Sequence, residues 1–267
     1  MLIIGESING TIPRVGQAIL DRNDTFLREL ARVQYECGAN FLDVNAGVAS
    51  GNEEEDLPWL VDIVQKEVPI PLMLDSASPE ALKAALSVYR HQEPPILNSI
   101  SGEGEKWNKL FPVIVEKKCK VVVLLMDDRG IPKTIEERVN IANSLFKKLI
   151  QDGFPPDHIF FDILVLSAAV EPEATLVTLE TIKTIRSNFP QSHTICGVSN
   201  VSMGLPGRRL INKTFLAMAI YAGLDTLLID VRDQALLSSI YASEVLINQD
   251  PYCLQYIQAY RGKRLLV

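Results

Sequence analysis

The chain has 267 residues, 47% of them hydrophobic and 22% charged, enough apolar material for a large buried core in one or two domains. Its 26 basic against 33 acidic side chains leave a net charge of −7, which argues against a nucleic-acid surface, because phosphate binding rests on clustered Lys and Arg. No window approaches the roughly 20 apolar residues of a membrane span, and the opening MLIIGESING lacks a basic region followed by a long apolar run, so the sequence reads as cytoplasmic, with small molecules or another protein as partners.

In chain order, eight short β-rich runs stand out: MLIIGES, ANFLDVNAG, IPLMLDS, PPILNSI, KVVVLLMDD, HIFFDIL, HTICGVSN and DTLLIDV. Helical patterns separate them. After the first run, Phe26, Leu30, Val33 and Cys37 recur at helical steps and form one apolar stripe. EEEDLPWLVDIVQKE follows the second run, and SPEALKAALSVYR the third, with Ser78 as N-cap and Pro79 in the first helical position. EKWNKLFPVIVEK, TIEERVNIANSLFKKLI, EATLVTLETIKTIRSN, RRLINKTFLAMAIYAGL and QALLSSIYASEVLIN complete the alternation. Eight strand-helix units in this length, with no linker between them, predict one (β/α)8 TIM barrel domain over 1–267.

The runs end in polar groups: Glu6 and Asn9, Asp43 and Asn45, Asp75, Asn98, Asp128, Asp162, Ser199 and Asn200, and Asp230. In a barrel these ends share the C-terminal face, where side chains from several strands converge on one ligand. Structural roles compete at each position. Ser78 relieves Asp75 of capping, and Asp162 stands too far from the next helix to cap it, although it could satisfy loop amides. Asp43 and Asn45 lie on the same side of a strand, or DVNAG is a turn held by Asx bonds. Glu6 and Asn9 divide evenly between binding and loop support. Asp230 directly precedes a helical pattern and is read as its cap.

Cys37, Cys119, Cys196 and Cys253 form no CxxC pair, and His91, His158 and His193 show no HxH or HExxH spacing, so no metal site is expected from this chain alone. SGEGEKWN has only GxG with acidic neighbours, a poor phosphate loop. A ring of carboxylates and amides suits a flat heterocycle with several N–H donors, such as an amino-pyrimidine.

The ordered segments MLIIGESING, LDVNAG, LMLDS, ILNSI, FDIL, GVSNVS and LINKTFLAMA resemble, over almost the whole chain, the pterin-binding barrel of methyltetrahydrofolate:corrinoid protein methyltransferases, also found as the folate domain of cobalamin-dependent methionine synthase. The resemblance implies a pterin-binding barrel, methyltetrahydrofolate or tetrahydrofolate as substrate, and usually a homodimer. It implies that Asp75, Asn98 and Asp162 hold the pterin ring and that Gly197 and Ser199 line it. Asn200 matches the asparagine that approaches the methyl-bearing nitrogen, and Asn200 and Asp162 form the implied catalytic set.

The corrinoid proteins of this chemistry carry a DxHxxG loop, and none of the three histidines lies in one, so the corrinoid (cobalamin) is expected on a separate protein. Relatives transfer methyl in both directions, including routes that demethylate methoxy compounds or methylated amines. Some have a polar residue where Met203 stands, and Arg208 keeps a family-like loop position outside the catalytic set. Two alternatives are a dihydropteroate synthase-like enzyme, which typically shows Ser-Arg-Lys where this chain has Ser199 and Asn200, and a non-catalytic pterin-binding barrel.

Overall fold

The computed structural model describes residues 1–266. Eight parallel strands close a barrel in sequence order: β1 (Leu2–Asn9), β2 (Phe41–Asn45), β3 (Leu72–Asp75), β4 (Ile96–Ile100), β5 (Lys120–Leu124), β6 (Ile159–Asp162), β7 (His193–Gly197) and β8 (Thr226–Ile229). The helices are α1 (Pro13–Leu20), α2 (Asp24–Glu36), α3 (Glu53–Glu67), α4 (Pro79–Val88), α5 (Gly104–Lys117), α6 (Ile135–Gln151), α7 (Ala174–Asn188), α8 (Arg208–Ala222), α9 (Gln234–Leu246) and α10 (Leu254–Arg261). The predicted alternation is therefore observed. Ser78 caps α4 by accepting from the Ala81 amide, and Thr134 and Glu137 close a capping box at α6. The short helices α1 and α10 were not anticipated from the sequence pattern.

Two apolar compartments hold the barrel. The larger lies between the strands and the helical ring, and the smaller fills the barrel interior with Ile4, Phe41, Met73, Ile96, Val122, Phe160 and Ile195, one from each of β1 to β7. Side chains two residues apart share a face of a strand. The next inward positions are consequently Glu6, Asp43, Asp75, Asn98, Leu124, Asp162 and Gly197, and β8 continues from Leu228 to Asp230. An apolar plug is thus followed by a predominantly polar tier at the C-terminal mouth.

The apolar stripe predicted for α2 is displaced. Its buried residues are Leu27, Leu30, Ala31 and Gln34, while Cys37 is exposed. A polar residue occupies the inner face because Gln34 Oε1 accepts the Ser7 amide at 2.9 Å beneath a register shift between Gly5 and Ile8 of β1. Such a bulge alters which way strand side chains point. Gly5 is required there, since a Cβ would stand 2.6 Å from Gln34 Oε1.

Candidate active site

A cavity of about 650 Å³ opens at the mouth between the ends of β1, β2, β3, β7 and β8. Its wall brings together Asp75, Gly197, Ser199 and Asn200 from the expected set, and adds Glu6, Asp43, Asp230 and Arg208. Asn98 and Asp162 do not line this cavity. Asn98 stands directly across from Asp75 in the β3–β4 register, and Asp162 lies on β6 opposite Ile195 of β7.

Asp75 and Asn45 form one unit. Asn45 Nδ2 donates to Asp75 Oδ2 at 3.0 Å, and Asn45 Oδ1 accepts the Gly47 amide at 2.9 Å, so both readings of DVNAG hold at once. Burial raises the Asp75 carboxyl despite the Asn45 bond. Asp43 is 1% exposed, its Oδ1 has no hydrogen-bond partner, and burial holds it well above the carboxylate range, with the charges of Asp75 and Glu6 adding to the effect. The Glu6 carboxyl is pushed up to about 7, chiefly by burial and then by neighbouring Asp230.

On β6, Asp162 accepts the Leu164 amide at 2.7 Å. Burial lifts it to about 6 against the opposing pull of this bond and of Arg138. Arg138 of α6 is 1% exposed and donates to the carbonyls of Pro132, Ile163 and Leu164 at 3.1, 2.6 and 3.3 Å. It ties down the segment that leaves β6, where Leu164 has a left-handed φ of 57°.

At β7 the chain turns from Gly197 into a 3-10 turn over Val198–Ser202 that carries Ser199 and Asn200. Arg208 Nη2 donates to the Ser199 carbonyl at 2.9 Å and its Nε to Ser202 Oγ at 3.0 Å, and the Ala168 amide donates to the Val201 carbonyl at 3.0 Å. The turn is therefore anchored from both sides. Asn200 rests over Gly197: a Cβ at that glycine would lie 3.2 Å from Asn200 Nδ2. Met203 is exposed immediately beyond.

Two expectations are corrected. Asp230 is not a helix cap; Asp233 caps α9 through the Ala235 amide, while Asp230 receives the Arg232 guanidinium at 2.8 and 2.9 Å and the Ser7 hydroxyl at 3.3 Å. Burial alone would raise the Asp230 carboxyl, but Arg232 holds it below its usual value. Asp128 leaves the ring because β5 ends at Leu124; it lies in a smaller separate cavity with Lys106 and Lys109.

The raised carboxyls predict a pH trend. An acid whose folded value exceeds its unfolded value contributes stability below the unfolded value, and that contribution is lost as pH rises through the folded one. Glu6, Asp43, Asp75 and Asp162 are all of this kind, with Asp162 at about 6 and Glu6 at about 7. The unliganded protein is therefore expected to melt about 5 °C lower at pH 8 than at pH 5, a few kcal/mol at this chain length. Thermal unfolding across that range checks it, and a rising melting temperature would contradict the buried-carboxyl account.

Among the described residues, no three His, Cys, Asp or Glu side chains are grouped so as to hold a metal ion, and no helix is long and apolar enough to cross a membrane.

Comparison with known proteins places this chain in a family. The model of the pterin binding enzymes matches residues 16–230. The chain is 35% identical to the methylcorrinoid:tetrahydrofolate methyltransferase of Eubacterium limosum, over 99% of this chain and 98% of that protein. It is 26% identical to the methionine synthases of Mycobacterium leprae and Mycobacterium tuberculosis over 86% of its own length, which is 20% of theirs. Solved dihydropteroate synthases from Thermus thermophilus (18% identity, TM-score 0.65) and Yersinia pestis (14%, 0.67) each align over 92% of this chain and 94% of their own, a likeness of fold. Strand order, polar mouth and sequence similarity agree, and the chain belongs to the pterin-binding enzyme family.

Proposed function

We propose that the protein is a methyltransferase moving a methyl group between N5 of methyltetrahydrofolate and the cobalt of a corrinoid borne by a separate protein. One observation carries the reading: an anchored turn presents Asn200 at a mouth tiered with carboxyls and amides, in a chain 35% identical end to end to a methylcorrinoid:tetrahydrofolate methyltransferase. That relative's name runs from methylcorrinoid to tetrahydrofolate, and we read this chain in the same sense. The reading carries with it a homodimer in the cytoplasm.

In this assignment Asp75, Asn98 and Asp162 hold the N–H groups of the pterin edge, and Gly197 and Ser199 line its face. The corrinoid supplies the cobalt–carbon chemistry. Asn200 supplies the hydrogen bond at N5. Transfer changes the charge on that nitrogen, and an amide fixed beforehand, its Oδ1 accepting from the N–H that becomes cationic, stabilises the transition state more than the neutral ground state. Gly197 matters because it leaves space for the Asn200 amide. The mouth stays open above, as an in-line encounter with cobalt requires.

Dihydropteroate synthase chemistry fits less well. Where those enzymes present cations after the seventh strand, this chain has Ser199 and Asn200, and the nearby Arg208 is engaged by the Ser199 carbonyl and Ser202.

Incubation with tetrahydrofolate and methylcobalamin labelled in its methyl group, followed by chromatography, tests the function. Labelled methyltetrahydrofolate is expected; tight folate binding without transfer would favour a binding barrel. Asp75→Ala is expected to weaken methyltetrahydrofolate binding about tenfold or more in a calorimetric titration, the value of a charge-assisted hydrogen bond. Unchanged affinity would remove Asp75 from the pterin contact.

A further inference from the structure

Methyl transfer at N5 is also a proton transfer. N5 of tetrahydrofolate bears a hydrogen that N5 of methyltetrahydrofolate lacks. When the N5 electron pair forms the nitrogen–methyl bond, the cobalt–carbon bond breaks with its electron pair left on cobalt. The nitrogen then holds both methyl and hydrogen and is cationic until it releases H⁺. Asn200 cannot accept that proton, because an amide exchanges hydrogen bonds without titrating.

The cavity wall offers four carboxyls, Glu6, Asp43, Asp75 and Asp230. Two of them are held by other side chains and a third is sealed by burial. Asp230 takes the forked Arg232 guanidinium and the Ser7 hydroxyl. Asp75 accepts from Asn45. Asp43 is sealed to 1% exposure one tier inside the β2 end, where ionisation is strongly disfavoured. Glu6 remains. It occupies the polar tier on the bulged β1, makes no ion pair among the described residues, and shares the cavity with Ser199, Asn200 and Arg208.

We propose that Glu6 is the proton-transfer residue of this site, accepting the N5 proton when methyl moves onto folate and returning it in the reverse direction. The assignment rests on the methyltransferase reading above. The surroundings of Glu6 suit the role. Burial and the Asp230 charge favour its neutral form; the Asp230 amide and the Arg208 guanidinium from α8 favour its anion, and Asp43 faces it from β2. These opposing influences leave the carboxyl at about 7, where a group both takes and gives a proton readily near neutral pH.

The two directions should consequently have opposite pH dependence. With methylcobalamin and tetrahydrofolate, wild-type kcat/KM should rise with pH through about 7, as the Glu6 anion forms. With reduced cobalamin and methyltetrahydrofolate it should fall through the same region. Glu6→Gln is expected to slow both directions by roughly 10²-fold and to abolish this limb, while calorimetry finds folate affinity within a few-fold of wild type. Glu6→Asp should restore part of the rate together with the limb, which a packing role would not do. Glu6→Gln protein that keeps both rate and limb overturns the proposal. Wild-type protein that binds folate but transfers no methyl in either direction overturns the methyltransferase reading, and the role of Glu6 with it.

Discussion

Asn200→Ala lowers the rate of methyl transfer by roughly 10²-fold while folate affinity stays within a few-fold, as expected on losing one oriented hydrogen-bonding group at a centre whose charge changes. The structure explains the asymmetry between rate and binding. The ring edge is assigned to Asp75, Asn98 and Asp162, on strands other than the one that leads to Asn200, so ground-state binding survives the substitution. The amide's value lies in being fixed before reaction. Arg208 clamps the Ser199 carbonyl, the Ala168 amide holds Val201, and Gly197 leaves the Asn200 side chain its place. Comparison of kcat with a calorimetric Kd separates the outcomes, and equal losses in both would make Asn200 a plain binding residue.

Arg138→Met destabilises the protein by about 3 kcal/mol, the range expected when a buried charge–carbonyl network loses its donor. Methionine roughly preserves the volume and restores none of the three hydrogen bonds to Pro132, Ile163 and Leu164. Those carbonyls belong to the loops flanking α6 and leaving β6, so the damage reaches the site. The left-handed Leu164, whose amide binds Asp162, loses its clamp, and Asp162 loses the cation that favours its ionised form. Folate binding should therefore weaken and its pH dependence near Asp162's value of about 6 should move upward. Denaturant unfolding with calorimetry at several pH values measures both effects. Stability within about 0.5 kcal/mol of wild type, typical of a neutral surface change, would contradict this role for Arg138.

The barrel was legible because the apolar runs and intervening helical stripes are strongly periodic, and Ser78–Pro79 punctuates its helix by local chemistry. Five polar strand-end residues were legible for the same reason: Glu6, Asp43, Asp75, Asn98 and Asp162 each lie two residues beyond a side chain of the interior plug. Errors arose where apolar periodicity does not report the deciding contact or the strand end. Gln34 faces inward to serve the Ser7 amide, 27 positions away, and no period of apolar residues announces that. Asp230 looked like a cap because its helix follows directly, but the forked Arg232 claims it and Asp233 takes the cap. Asp128 was credited to the ring only because the apolar run hid the end of β5 at Leu124. Arg138 reads as one more charge on a helix, and its burial depends on where β6 ends. Glu6 and Asp43 were visible as candidates, whereas the sealing of Asp43 and the poise of Glu6 depend on the closed tier.

The central claim, that this mouth carries methyl between folate and cobalt, is tested most directly by absorbance. The purified protein is mixed with methyltetrahydrofolate and photoreduced free cobalamin, and the cob(I)alamin band is followed. The account predicts protein-dependent decay of that band with methylcobalamin appearing in step, and the opposite change when methylcobalamin and tetrahydrofolate are supplied. A band that decays no faster than without protein, in a sample whose folate binding is demonstrated by calorimetry, would contradict it.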